Sequence, residues 1–210
     1  MVWWDLFLLV AYALIVYWVL LNAIANLAKL ATISLNQARL KEELDKRGLA
    51  KMVEFGFGFA NPYSLSSTLK VLAISVVNTS EYTMYVDWDR SALTDLKGRS
   101  RRVIRLTPDK APDLIQAQVW SVIPAGQVLQ EVITAEDVLT RPTTADPFEP
   151  NGVIVPIAGA KEDKPLVFYL CIWLIVQRQV PNGDSQPDIQ TLIPCEFVIY
   201  KSPWTNVLPW

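Results

Sequence analysis

Apolar and polar positions divide this chain into three regimes. The first is "WWDLFLLVAYALIVYWVLLNAIA", Trp3 to Ala25, inside a run from Leu6 to Ala28 of 23 residues without a charged side chain. A helix of roughly 20 apolar residues crosses about 30 Å of hydrocarbon, and lipid leaves the backbone no other hydrogen-bond solution. A core helix of a soluble domain would need a polar face, and Leu6 to Leu21 has none. A cleaved signal would open on cationic residues. The chain reads Met1-Val2-Trp3-Trp4-Asp5, although Ala23-Ile24-Ala25 has the form of a cleavage site. The pattern predicts a retained single span through Leu6, Leu14, Trp18 and Leu21, with Trp3 and Trp4 at one interface.

The second regime, "NLAKLATISLNQARLKEELDKRG", has good helix formers and no proline. Leu27, Leu30, Leu40 and Leu44 form a thin stripe, and Lys46, Arg47 and Gly48 mark a helix end. The spacing predicts one helix from Trp3 to Arg47, a rod of about 65 Å that lifts the rest of the chain off the membrane. Residues 1–50 thus read as a helical unit and 51–210 as a separate domain. Asn22, Asn26 and Lys29, at i, i+4 and i+7, share one helix stripe. That stripe either exits into the headgroup zone or hydrogen-bonds a neighbouring helix.

The third regime has period two. "FGFGF" (55–59) sets three Phe against two Gly; "VLAISVV" (71–77), "TMYVDWD" (83–89), "RRVIRL" (101–106), "AQVWSVI" (117–123), "VLQEVIT" (128–134), "VIVPIA" (153–158) and "FVIY" (197–200) follow. Turn residues separate them, and "TRPTTADPFEPNG" is a loop. "PLVFYLCIWLIVQ" has 11 continuous apolar residues, Leu166 to Val176. That is too short for a helical span and rich in strand formers, so both its faces need cover. Eight or nine short strands predict an antiparallel β-sandwich. "VVNTSEYTMYVDWD" followed by "SVIPAGQ" resembles immunoglobulin-like sandwich domains, where a strand ends in Asn, a second crosses and a Pro-x-Gly turn comes later.

Composition narrows the chemistry. The 210 residues are 51% hydrophobic and 19% charged, with net charge −2 and no histidine. Without histidine the commonest general base, Ser-His triads and most zinc sites are missing. Cys171 and Cys195 lack metal-ligand spacing and read as buried thiols. No phosphate-binding glycine loop is present, because the glycines of "FGFGF" alternate within a strand. No cofactor and no metal are expected.

Asp87 and Asp89 share a strand face, and Arg99, Arg101 and Arg105 share another at hairpin distance. These read as cross-strand Asp–Arg pairs, or else as a basic edge for phospholipid or an acidic partner, with Lys97 and Arg102 adding to it. Nucleic acid is not expected from a negative chain without an RNA-binding aromatic motif. Asn78-Thr79-Ser80 matches a glycosylation sequon but reads as a turn. Trp204 and Trp210, in a proline-rich segment, are candidate partner contacts.

Lys29, Arg39, Lys41, Lys46, Arg47 and Lys51 all follow the span, and no Lys or Arg precedes it, which predicts the N-terminus outside and the globular domain on the cytoplasmic side. Together these features predict a non-enzymatic, membrane-anchored accessory or assembly protein that docks onto a larger membrane protein complex. The alternative is a membrane-tethered lipid- or small-ligand-binding module.

Overall fold

The computed structural model describes residues 2–27, 29–107, 114, 116–141, 148–161, 164–178 and 188–201. Helix α1 (Val2–Leu27) is followed by β1 (Leu30–Leu35), α2 (Gln37–Lys46), β2 (Val53–Gly58), β3 (Tyr63–Ser64), β4 (Thr68–Leu69), β5 (Leu72–Asn78) and β6 (Thr83–Thr94). Then come β7 (Ser100–Leu106), β8 (Ser121–Ile123), β9 (Val128–Ala135), β10 (Leu139–Thr140), β11 (Glu149–Pro150), β12 (Val155–Pro156), β13 (Leu166–Gln177) and β14 (Ile189–Lys201).

The predicted rod is corrected. Helix α1 stops at Leu27, and only two residues separate it from strand β1, which pairs antiparallel with β14 from Ala31↔Lys201 to Leu35↔Phe197. Ala31 and Ile33 point into the core, while Thr32 and Ser34 alternate with them. The side chain of Asn36 then caps α2 by accepting the Arg39 N–H (3.2 Å), and Gly48 ends it with φ +67°. Helix α2 lies beside β14 where β1 stops: Asn36 N–H donates to Glu196 O (2.9 Å), and Arg47 Nε donates to Thr191 Oγ1 (3.0 Å). Leu40, Leu44 and Leu49 are buried in the same core as the strands. Residues 30–50 are therefore part of the β unit, not a stalk beneath it.

The strands form one antiparallel sheet in the order β2-β5-β9-β7-β6-β13-β14-β1-β3, with β8 paired to β6. The immunoglobulin-like sandwich is not confirmed, because the two layers are arms of a single sheet curled into a half-barrel. Strand β7 makes the turn: Ser100–Arg102 pair with β6, and Val103–Leu106 pair with β9. Curling brings Phe57 of β2 edge-on to Phe197 of β14 (4.8 Å between ring centres), with Phe59 edge-on at 5.6 Å and Phe168 stacked at 4.9 Å. The alternation of "FGFGF" thus places its aromatic face inward.

The free edges of the half-barrel are joined by the chain itself. Leaving β2 for β3, Asn61 accepts the Ile33 N–H with its Oδ1 (3.0 Å) and donates its Nδ2 to Ile33 O (2.9 Å). One side chain thereby does the hydrogen bonding of a missing strand on the β1 edge.

Candidate interaction surface

The predicted site residues fall in several places. Leu6, Leu14, Trp18 and Leu21 lie on α1, whose span Trp3–Leu27 has 0% of its surface buried in the molecule. Asn22 spends an amide N–H on its own helix, donating to Trp18 O (2.9 Å). Asn26 is on the last turn, but Lys29 lies beyond the helix end, so the three-residue stripe is not continuous. Trp204 and Trp210 lie outside the described residues, as do 142–147 of the predicted loop.

The arginines have local partners rather than Asp87. Arg99 Nη2 is 2.8 Å from Asp95, Arg101 Nη1 3.3 Å from Asp137, Arg102 Nη2 2.6 Å from Asp89, and Arg105 Nη1 3.1 Å from Glu131. Burial acts to raise the Asp89 carboxyl. The Arg102 guanidinium and two N–H groups of Gln118 outweigh it and hold Asp89 below the usual carboxylate range. Asp95 is likewise lowered: burial opposes, but the N–H groups of Arg99 and Lys97 and the Arg99 guanidinium prevail.

Asp87 does a different job. Opposite Ile172 alone, residues 88–91 of β6 loop out of register. Asp87 Oδ1 accepts the N–H groups of Asp89 (3.1 Å) and Arg90 (3.2 Å), and Ser91 Oγ donates to Asp87 O (2.6 Å) and accepts the Trp173 N–H (3.0 Å). The carboxylate therefore caps a β-bulge, a structural role that occupies it. Among the described residues no group of three His, Cys, Asp or Glu side chains could hold a metal ion. Leu170↔Cys195 pairing puts Cys195 on the inner face, whereas Cys171 points outward, so the two thiols lie on opposite faces and are free.

The surface that sequence reasoning did not locate is the outer face of the central strands. The registers Tyr85↔Val122, Tyr85↔Ile175 and Trp173↔Leu192 lay one apolar row after another across β8, β6, β13 and β14. Trp120 stands edge-on to Tyr85 at 6.3 Å. Trp120 is 47% exposed, Val122 52% and Val119 76%. Trp173 lies under the Arg90 guanidinium (5.3 Å to the ring centre), and its indole Nε1 is buried with no hydrogen-bond partner. The continuous apolar run Leu166–Val176 signalled that this face needs cover. Its inner half, Phe168, Leu170, Ile172, Leu174 and Val176, is fully buried in the core.

A second concavity, about 490 Å³, crosses the outer face of β2, β5 and β9, where Gly56, Gly58, Ala73 and Ser75 leave the sheet nearly bare. It is open to solvent. The interior of the half-barrel is packed by Trp88, Phe168 and Phe197.

No protein-family model matches this chain, and no curated protein is similar to it.

Proposed function

We propose that this protein is a non-catalytic, single-pass membrane accessory protein whose half-barrel docks onto a larger protein complex in the same bilayer. One observation carries the reading: the exposed aromatic and apolar face Tyr85–Trp120–Val122–Trp173–Leu192 contains a buried indole N–H without an acceptor. An unsatisfied buried donor costs about 1–3 kcal/mol, which a partner's carbonyl would recover. Soluble surfaces seldom carry such faces unless they bind something, and Trp and Tyr are enriched at binding hot spots. The face lies nine residues along β14 from Lys201, roughly 30 Å at 3.3 Å per residue, so a protein that rises from the membrane can reach it. The membrane helix adds a second contact through effective concentration.

The same reading keeps α1 as a retained span, with the half-barrel on the cytoplasmic side. A mature N-terminus at Asn26 would overturn the retained span.

The test is purification of the tagged protein in mild detergent. The wild type should carry a partner that cross-links to a photoreactive residue at Val122. The variant Trp120→Arg/Val122→Glu should stay in the membrane with unchanged thermal unfolding and lose that partner. A wild type that migrates alone as a small monomer overturns the reading. The groove over Gly56 and Gly58, within the roughly 300–1,000 Å³ typical of ligand sites, supports the second reading of a lipid- or small-ligand-binding module. Mass spectrometry of the native protein should then find a bound small molecule, and Gly58→Val should remove it.

A further inference from the structure

The exit of α1 and the end of β14 are neighbours. Helix α1 ends at Leu27, Lys29 N–H donates to Asn26 O (3.1 Å), and β1 begins at Leu30. Ala31 then pairs directly with Lys201, the last residue of β14, and Leu30 with Ser64 of β3. Leu65 N–H donates to Lys29 O (2.8 Å), which fastens the β3 turn to the helix exit. Paired strands stand about 4.8 Å apart. Ser64, Leu65 and Lys201 therefore sit within one or two strand spacings of Lys29.

The bilayer fixes what that level is. The uncharged run ends at Ala28, and Lys29 is the first charge after it. The hydrocarbon is about 30 Å thick and the polar interface adds only about 5–7 Å on each side. With α1 across the hydrocarbon, Lys29 is in the headgroup layer, and everything within 5–10 Å of it borders that layer. The segment that follows Lys201 reads Ser-Pro-Trp-Thr-Asn-Val-Leu-Pro-Trp, with no charged side chain and two tryptophans. Trp is the side chain that partitions most characteristically into the interface, its ring in the acyl boundary and its N–H toward water. Two prolines exclude a second spanning helix.

We infer that the rim of the half-barrel around Lys29, the β3 turn and Lys201 rests on the phospholipid headgroups, and that residues 202–210 enter the bilayer interface through Trp204 and Trp210. The protein is then held at two adjacent points, one on each side of the β1–β14 pair. Lys29 and Lys201 supply cations at the headgroup phosphates, and the tryptophans supply apolar area just below them. A single helix allows its domain to swing. Two anchors fix which face of the half-barrel points sideways along the membrane.

This inference rests on α1 spanning the bilayer, and its test separates the two. Full-length protein with Cys171→Ser carries one environment-sensitive fluorophore at a time, at Ser66→Cys, Asn206→Cys or Glu81→Cys, in phosphatidylcholine/phosphatidylglycerol vesicles. Glu81 lies in the β5–β6 turn, at the opposite end of β6 from Thr94. Shallow nitroxide lipids should quench the probes at 66 and 206 at least about two-fold more than the probe at 81, given the thinness of the interface. Trp204→Ser/Trp210→Ser should abolish the quenching at 206 and leave the protein in the membrane after alkaline carbonate extraction. Probes at 66 and 206 that read water in a carbonate-resistant protein overturn the inference. Release by carbonate overturns the span itself.

Discussion

Asn78 shows how a polar side chain can organise an apolar fold. It is fully buried. Its Nδ2 donates to Tyr82 O (2.7 Å), Ile123 O (3.0 Å) and Pro124 O (3.1 Å), and its Oδ1 accepts the Ser80 N–H (3.0 Å) and Ser80 Oγ–H (2.7 Å). One residue thus ties the β5–β6 turn to the β8–β9 turn. The sequon it begins is occupied by these bonds, and glycosylation of the folded domain would have to break them. Asn78→Ala leaves three carbonyls without their donor and should cost about 2–4 kcal/mol, read as a shift of the urea midpoint. Trp88, also fully buried, donates its indole N–H to Ser121 Oγ (2.8 Å), and Trp88→Ala should cost about 3–5 kcal/mol. Arg99→Ala, at an exposed pair, should change stability by less than about 1 kcal/mol. Asp89 and Asp95 titrate below their ordinary range in the fold. Because the folded value is the lower one, the stability they add is complete above the unfolded carboxylate value and is lost as pH falls through the depressed one. The urea midpoint should therefore fall below about pH 4, and Asp89→Asn should flatten that fall.

At the element scale the decisive segment is 30–50. A fragment beginning at residue 51 lacks Ala31, Ile33, Leu40, Leu44 and Leu49 from the core and exposes the β14 edge, so it should be unfolded or aggregated. A fragment beginning at residue 29 should fold, with a far-UV circular dichroism spectrum dominated by β-structure and a cooperative thermal transition. If the two fragments behave alike, the packing described for β1 and α2 does not matter for folding. Most long strands were legible in the chain: the alternation of "FGFGF", the apolar run of β13 and the turn at Asn78 all lie where period two and turn chemistry put them. Strand β1 was not legible, because "LATISL" is short, follows a long helix and carries no proline or glycine. Its strand state comes from pairing with β14, a contact more than 160 residues away in sequence. The N-cap Asn36 was the local signal that could have restarted the helix there. The arginine pairings were missed for a related reason. Asp95, Asp137 and Glu131 become neighbours of Arg99, Arg101 and Arg105 only through the hairpin tip and the curl at β7, whereas cross-strand counting pointed to Asp87 and Asp89.

For the whole molecule the open quantity is the side of the membrane on which the half-barrel sits, and it follows from charges as they are during insertion rather than after folding. In the folded protein Arg39 is paired with Glu196, Arg47 with Glu43, and Lys46 with Glu42 and Glu43. These pairs form only once β14, nearly 160 residues downstream, has been made, so they cannot weaken the positive-inside preference when α1 enters the bilayer. At that moment Lys29, Arg39, Lys41 and Lys46 flank one end of the span, while residues 1–5 carry no Lys or Arg. The rule weighs such residues within about 15–20 positions of the span and gives acidic neighbours little weight. The domain should therefore be retained on the cytoplasmic side, and protease added to sealed right-side-out vesicles should leave residues 29–210 intact until detergent is added. Replacing Lys29, Lys41 and Lys46 with Gln and Val2 with Arg reverses the asymmetry without touching the core, and should make a measurable fraction of the chains protease-sensitive from outside. Digestion of the wild-type domain in sealed vesicles would reverse the assignment and would place the aromatic face of β6 and β13 before an extracytoplasmic partner instead.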